Sequence, residues 1–193
     1  MSRRAIIAAA EWAAVLLLAW LFVQTLPAAA GSRTPEEAHR LSEKSFHYGP
    51  TVVARKVVAP FDKDQVVFLG TYKDWFSADT VKRQTGGWVP GDGVGGVEID
   101  RSKPFTYSWS GSGTHDNLMT FKFYGYVSDA RIAAIELVMT DRKSGSMVSM
   151  HEPIGEDRMF LFLWEADNGS NAEWQSVRGL DASGKLVYEA KLR

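Results

Sequence analysis

Short runs in which apolar and polar residues alternate set the strongest limit on what this chain folds into. Phe105, Tyr107 and Trp109 alternate with Thr106, Ser108 and Ser110, and Met119, Phe121 and Phe123 alternate with Thr120, Lys122 and Tyr124. Ile135, Leu137 and Met139 share one face of the segment 131–140. A period of two sends neighbouring side chains to opposite faces of a strand and gives a helix no apolar stripe. Segments 51–58, 65–72 and 186–192 read as further strands, and 159–164 is apolar on both faces, as a central strand is. Segments 141–145 and 181–184 read as hairpin loops with glycine at a left-handed position. Short strands with almost no helix between them argue for antiparallel sheets folded as a sandwich. The crossover helices of a parallel α/β sheet are missing from the pattern. The fold class expected is mainly β, an antiparallel β-sandwich over residues 50–193.

Before this region lies a segment of another kind. Residues 5–26 (AIIAAAEWAAVLLLAWLFVQTL) carry one charge, Glu11, and follow Arg3 and Arg4. As a helix they would extend roughly 33 Å, close to the thickness of a bilayer core. The paired arginines favour the cytoplasmic side, which places the chain after residue 30 outside. Two readings stay open. An uncleaved anchor makes a single-pass cell-membrane protein with its C-terminal domain outside. A cleaved signal peptide, with Pro27 ending the helix and small residues Ala28, Ala29 and Ala30 before Gly31, makes a secreted protein cut after Ala30. The expected organisation is an anchor or signal peptide over 1–30, a linker with one short helix over 31–49, and the sandwich over 50–193. The linking helix begins with Thr34 as cap, Pro35 in the first turn and Glu37 closing a capping box. Ala38, Leu41 and Phe46 are its expected apolar contacts.

The absence of cysteine excludes disulfides, thiolate metal sites, a lipid-modified N-terminal Cys and cysteine nucleophiles. A formal net charge of −1, or −2 once Arg3, Arg4 and Glu11 are set aside, argues against nucleic acid as a partner. The run Gly91-Asp92-Gly93-Val94-Gly95-Gly96 matches G-x-G-x-x-G, but a strand-like run, Val97-Glu98-Ile99-Asp100, follows where a dinucleotide site needs a helix. His39, His47, His115 and His151 show no metal-ligand spacing. The oxygen-rich stretch 167–173 departs from a calcium loop, and Asn168-Gly169-Ser170 within it is formally a glycosylation sequon. No G-x-S-x-G or S-x-x-K motif is present, and Glu98 and Asp100 on one strand face are ordinary surface carboxylates. No catalytic residue, metal site or cofactor is therefore expected, and the chain reads as a non-enzyme.

Aromatic residues offer the more specific signal. Tyr72, Trp75, Phe76 and Trp88 bracket Lys73, Asp74, Ser77, Asp79, Lys82 and Arg83 without clean alternation. Exposed rings beside polar groups stack on sugars or anchor a protein partner, whereas the bland alternative makes them core or loop staples. Trp88 sits in the segment 86–96, in which seven of eleven residues are Gly or Pro. It either packs back as a staple or is presented to a partner.

The stretches FHYGP, VVFLGTYKDWFS, GGWVPG and SKPFTYSWSG resemble small membrane-anchored or secreted extracytoplasmic proteins of Gram-positive, spore-forming bacteria. The later stretches, from Tyr124-Gly125-Tyr126-Val127 to the closing LDASGKLVY, look like immunoglobulin-type β-sandwich segments of bacterial envelope proteins. The resemblance implies an exported domain with an Ig-like β-sandwich and carries over no catalytic residue and no assigned function. The function expected is a non-enzymatic interaction module of the cell envelope, held to the membrane by the N-terminal helix and meeting an envelope protein. The alternative is a wall-glycan binder using Tyr72, Trp75 and Trp88, with a hydrolase as a third.

Overall fold

The apolar alternation resolves into strands whose two faces belong to different layers. The computed structural model describes residues 3–25, 31–92, 95–113, 118–142, 144–167 and 172–192. Helices α1 (Arg3–Thr25) and α2 (Pro35–Phe46) precede twelve strands among these residues. They are β1 (Val52–Ala59), β2 (Asp62–Tyr72), β3 (Trp75–Gln84), β4 (Gly87–Pro90), β5 (Val97–Glu98), β6 (Phe105–Gly113) and β7 (Leu118–Val127). Then come β8 (Ala134–Asp141), β9 (Met147–Pro153), β10 (Met159–Asp167), β11 (Ala172–Leu180) and β12 (Leu186–Lys191). The chain is mainly β, and every pairing is antiparallel.

Three sheets result where a simple sandwich has two. Sheet I runs β1-β2-β3-β4 with β5 also on β3, sheet II runs β10-β7-β6, and sheet III runs β12-β11-β8-β9. Sheet II lies in the middle. Phe123, Phe160 and Phe162 on one face meet Ile135, Leu137, Met139 and Val177 of sheet III. Tyr124, Met159 and Leu161 on the other face meet Val67, Leu69, Phe76 and Ala78 of sheet I. An immunoglobulin constant domain has sheets ABED and CFG. Sheets III and II reproduce those neighbour orders when the chain is traced from β12 back to β6, so the direction is opposite.

Polar residues stitch sheet I to sheet II. Lys122, on the sheet I side of β7, is buried. Its Nζ donates to the Ala78 carbonyl at 2.6 Å and to Thr80 Oγ1 at 2.7 Å, and pairs with Asp92 at 3.0 Å. Burial pushes its ammonium pKa down, against the pull of the Asp92 carboxylate. The outer face of sheet III is polar. A row crosses it from His151 through Glu136 and Arg178 to Glu189, with contacts of 3.2, 3.3 and 2.7 Å. Lys191 and Arg178 together hold the Glu189 carboxyl down at about 2.

Helix α2 begins with Thr34 as its cap, as expected, Thr34 Oγ1 accepting the Glu37 N–H, whereas Glu37 accepts the N–H of Arg33, one residue before the cap, where the expected capping box has that of Thr34. Its packing differs from expectation. Ala38 is buried, but Leu41 and Phe46 face solvent, and the helix instead buries His39, Ser42 and Glu43 against sheet I. The segment 31–49 is thus a fourth layer on the outer face of sheet I, where the sequence reads as a linker. Ser32 exchanges both backbone hydrogen bonds with Trp88 at 2.7 and 2.8 Å. Gly31 and Gly87 permit that approach, since a Cβ on Gly31 would stand 2.6 Å from the Gly87 carbonyl carbon.

Helix α1 spans 23 residues, Arg3–Thr25. Its described side chains cover only 11–22, and Trp12, Leu16, Leu18, Trp20 and Phe22 among them are exposed. Among the described residues no helix is long and apolar enough to cross a membrane. Residues 26–30, with the expected cleavage point, lie outside the described residues, as do Gly93, Val94, His115, Asp116 and the sequon Asn168-Gly169-Ser170.

Candidate binding site

Tyr72 and Trp75 face each other across the β2–β3 hairpin, whose turn is Lys73-Asp74 with Lys73 in the left-handed region at φ 56°. Lys73 Nζ stands 5.0 Å from the Tyr72 ring, and Tyr48 meets that ring edge-on at 5.7 Å. Trp75 is 41% exposed. Phe76, the next residue, points the other way and is fully buried in the core between sheets I and II, so it cannot touch a partner. Trp88 pairs with Arg83, eight residues further along β3 than Trp75, roughly 26 Å away. It is half-buried against Ala38, Val66, Phe68 and Val81. The four aromatics proposed from sequence therefore do not form one surface. Phe76 is core, Trp88 fastens the 31–34 segment and α2 to sheet I, and Tyr72 and Trp75 remain at a hairpin tip.

One polar cluster has the outline of catalytic machinery. His39 Nδ1 lies 2.6 Å from Asp79 Oδ2, and His39 Nε2 lies 3.1 Å from Thr51 Oγ1. A nucleophile relay would need the Thr51 hydroxyl to donate to His39. That proton is already given to Glu43 Oε1 at 2.6 Å, and a hydroxyl has only one to give. Ser42 likewise donates to Asp79 Oδ1 at 2.9 Å. His39 also stacks on Phe68 at 4.6 Å and 8°. Every member is satisfied from within, and the cluster clamps α2 to β3.

Aromatic rings do converge at one end of the space between sheets II and III. Alternation puts Trp109 of β6, Phe121 of β7 and Trp164 of β10 on the face of sheet II that looks towards sheet III. A bulge between Trp174 and Ser176 in β11 brings Trp174 opposite Met139, in phase with the inward residues of β8. Trp174 then meets Trp109 edge-on at 5.1 Å and 84°, Trp164 at 5.7 Å and 66°, and Phe123 at 5.7 Å and 83°. Phe121 and Trp164 stack at 5.5 Å and 18°. Edge-on and offset contacts are the arrangements that ring quadrupoles favour.

These rings line an open cavity of about 400 Å³, with Ala172 and Leu192 completing the wall and Arg142 and Glu173 at the rim. The size falls within the usual range of small-ligand pockets, about 300–1,000 Å³. Arg142 Nε and Glu173 Oε2 are 3.8 Å apart. Trp109 is 57% exposed, which leaves much of its ring available. The lining comes from β6, β7, β10 and β11, with Arg142 just past β8 and Leu192 just past β12. It belongs to sheets II and III, whereas α2 packs on the far face of sheet I.

The chemistry on offer is flat apolar surface, indole N–H donors and a charged rim. In sequence, Trp109 and Trp164 fall in strand-like runs, and no pattern singles out Trp174. Alternation reveals which face those two occupy, but nothing local shows that three strand ends meet. No curated protein and no solved structure matches the chain. Residues 33–192, which take in α2 and all three sheets, match DUF5044, a domain of unknown function, and the chain belongs to that family.

Proposed function

We propose that this protein is an extracytoplasmic, non-enzymatic binding module of the bacterial cell envelope, delivered there by its N-terminal segment. The observation that carries this reading is the tryptophan-lined opening between sheets II and III, in the layers farthest from α2. Export rests on the apolar run of residues 5–26 behind Arg3 and Arg4, as an anchor or as a signal cut after Ala30. The resemblance to envelope proteins of spore-forming Gram-positive bacteria agrees with this, as does the Ig-like neighbour order of sheets II and III with its reversed chain direction. The internally satisfied His39 cluster supports a binding role over a hydrolase. A wall-glycan role for Tyr72, Trp75 and Trp88 loses its geometric basis once Trp88 lies at the opposite end of β3.

Protease treatment of protoplasts expressing the full chain with a C-terminal tag tests the compartment. Loss of the tag with intact cytoplasmic markers is the expected result, as is recovery of the tagged chain in the medium if the signal is cut. Protection of the tag in sealed protoplasts would overturn the reading.

A further inference from the structure

We propose that β9 is a dimerisation edge: a second copy of this chain lays its own β9 antiparallel beside it, about a two-fold axis at Ser149, so that the two copies of sheet III become one continuous sheet. This inference goes beyond the binding-module reading and does not depend on it. β9 ends sheet III and pairs with β8 alone, in a register unbroken from Met147 to Pro153. At its two ends the Asp141 N–H donates to the Ser146 carbonyl at 2.9 Å, and the Ile154 N–H donates to the Ala133 carbonyl at 2.8 Å. Antiparallel pairs alternate, so the backbone groups of Val148, Met150 and Glu152 also turn towards β8, and those of Met147, Ser149 and His151 turn outwards. These three residues are exposed, and their backbone N–H and C=O groups find no partner among the described residues.

A free edge of this kind is a template for another strand, and proteins blunt it with lysine, proline, a bulge or shortness. The other end strands of sheets I and III carry such devices. β1 has a bulge between Val53 and Arg55 followed by Lys56, β4 has four residues and ends on Pro90, and β12 ends on Lys191. β9 has none of them between Met147 and His151, where Met147 (68% exposed) and Val148 (48%) bring apolar side chains to the edge. Pro153 stops a ladder beyond that stretch.

Register and charge make a second β9 the fitting occupant. With the axis at Ser149, that residue meets Ser149 of the second copy, Met147 meets His151, and Val148 meets Met150. Outward backbone groups then face outward backbone groups and form about six hydrogen bonds, two in the Ser149 pair and two in each of the two Met147–His151 pairs. No like charges stand opposite one another. Moving the axis to Met150 would set Val148 against the Glu152 carboxylate and the Met147 carbonyl against Pro153, which has no N–H to give. Arg142 and Lys143 precede β9 in the sequence, whereas Glu152, Glu156 and Asp157 lie at its end and beyond. Arg55 pairs with Glu152 and Asp157, and Glu156 makes no ion pair among the described residues. An antiparallel two-fold brings the basic end of each strand beside the acidic end of the other.

Cysteine crosslinking of the full chain in detergent micelles tests the register, because the native chain has no cysteine to compete. The axis places the two Ser149 Cα atoms about 5.5 Å apart, within the roughly 4.4–6.8 Å that a disulfide spans. The two Met147 Cα atoms stand about 14 Å apart, four residues out of register. Under mild oxidation Ser149→Cys is expected to form a disulfide dimer roughly tenfold faster than Met147→Cys or more, although both positions are exposed, because only its thiols are held at high effective concentration. Sedimentation equilibrium gives a readout without cysteine. A contact of one strand is at the small end of interface sizes, so the wild-type chain is expected to pass from monomer to dimer as its concentration rises. Ser149→Lys sets two ammonium groups against each other on an exposed face and is expected to stay monomeric with an unchanged thermal midpoint. A wild-type chain that is monomeric at every concentration overturns the proposal, as does equal crosslinking of the two cysteine variants. A dimer that survives Ser149→Lys is held by another surface and overturns it too. A monomeric chain found outside the membrane removes the dimer and leaves the envelope reading, whereas a tag protected inside protoplasts removes the envelope reading and leaves the dimer.

Discussion

Lys122 carries the most consequential single charge of the layered core. Its strand, β7, has Phe121 and Phe123 on one face and Lys122 and Tyr124 on the other, so the ammonium points into the contact with sheet I. Removing it takes the ammonium donor from the Ala78 carbonyl, from Thr80 Oγ1 and from the Asp92 carboxylate, which keeps only the Ser110 hydroxyl. Lys122→Met is therefore expected to cost about 1–3 kcal/mol at neutral pH, read as a lower urea midpoint. The direction of its pKa adds a second signature. The folded chain releases this proton at lower pH than the unfolded chain, whose lysines titrate near 10.5. Between those two values the unfolded state holds more protons, so this group makes stability rise as pH increases. The difference between wild type and Lys122→Met, measured by urea titration at successive alkaline pH values, should show that slope. A difference that stays flat up to pH 10.5 would refute the assignment.

At the scale of elements, α2 is a polar helix docked by a polar cluster, and its attachment should be separable from the core. Asp79 accepts from Ser42 and pairs with His39, and all three side chains are buried. Asp79→Ala strands both partners, and for a buried pair the expected cost is about 3 kcal/mol. The readout is amide hydrogen exchange. Exchange in α2 should accelerate roughly a hundredfold while the strands of sheet III keep their protection. Equal loss of protection in both places would show that the cluster holds more than the helix. The second attachment is Trp88, whose ring packs on Ala38, Val66, Phe68 and Val81 while its backbone holds Ser32. Trp88→Ala is expected to lower stability by about 2 kcal/mol or more in denaturant titration. An unchanged midpoint would mean that the ring is presented to a partner and fastens nothing.

For the molecule as a whole, sheet II decides how the domain unfolds. Its residues alternate between two cores, Phe123 and Phe160 serving one and Tyr124 and Leu161 the other, so neither core survives loss of that sheet. Residues 50–192 should then unfold in one cooperative transition although they form three layers. Phe123→Ala and Leu161→Ala, on opposite faces, are each expected to cost about 2–5 kcal/mol and to shift that single transition. Tryptophan fluorescence and far-UV circular dichroism should trace coincident curves in both variants. Separated midpoints would show that sheet I and the pair of sheets II and III unfold independently.

The strands most legible in the sequence are those with a plain alternation or an apolar run. β6, β7, β8 and β12 appear where the pattern of two places them, and β10 is doubly apolar because it faces two cores. Gly145 and Gly184 adopt the left-handed conformation that their hairpin positions require, at φ 69° and 82°. The start of α2 was also legible, since a cap is a contact among neighbours in sequence. Strand β3 was not. Its Asp79 and Thr80 look like loop residues until α2 and Lys122 supply their partners, His39 and Ser42 for Asp79 and the ammonium for Thr80. The number of layers was hidden for the same reason, because alternation shows that a strand has two faces but not that a polar face is buried against another sheet. The binding site depends on tertiary structure most of all. Trp109, Phe121, Trp164 and Trp174 come from four strands, and only the pairing register, with its bulge before Ser176, brings their rings to one opening.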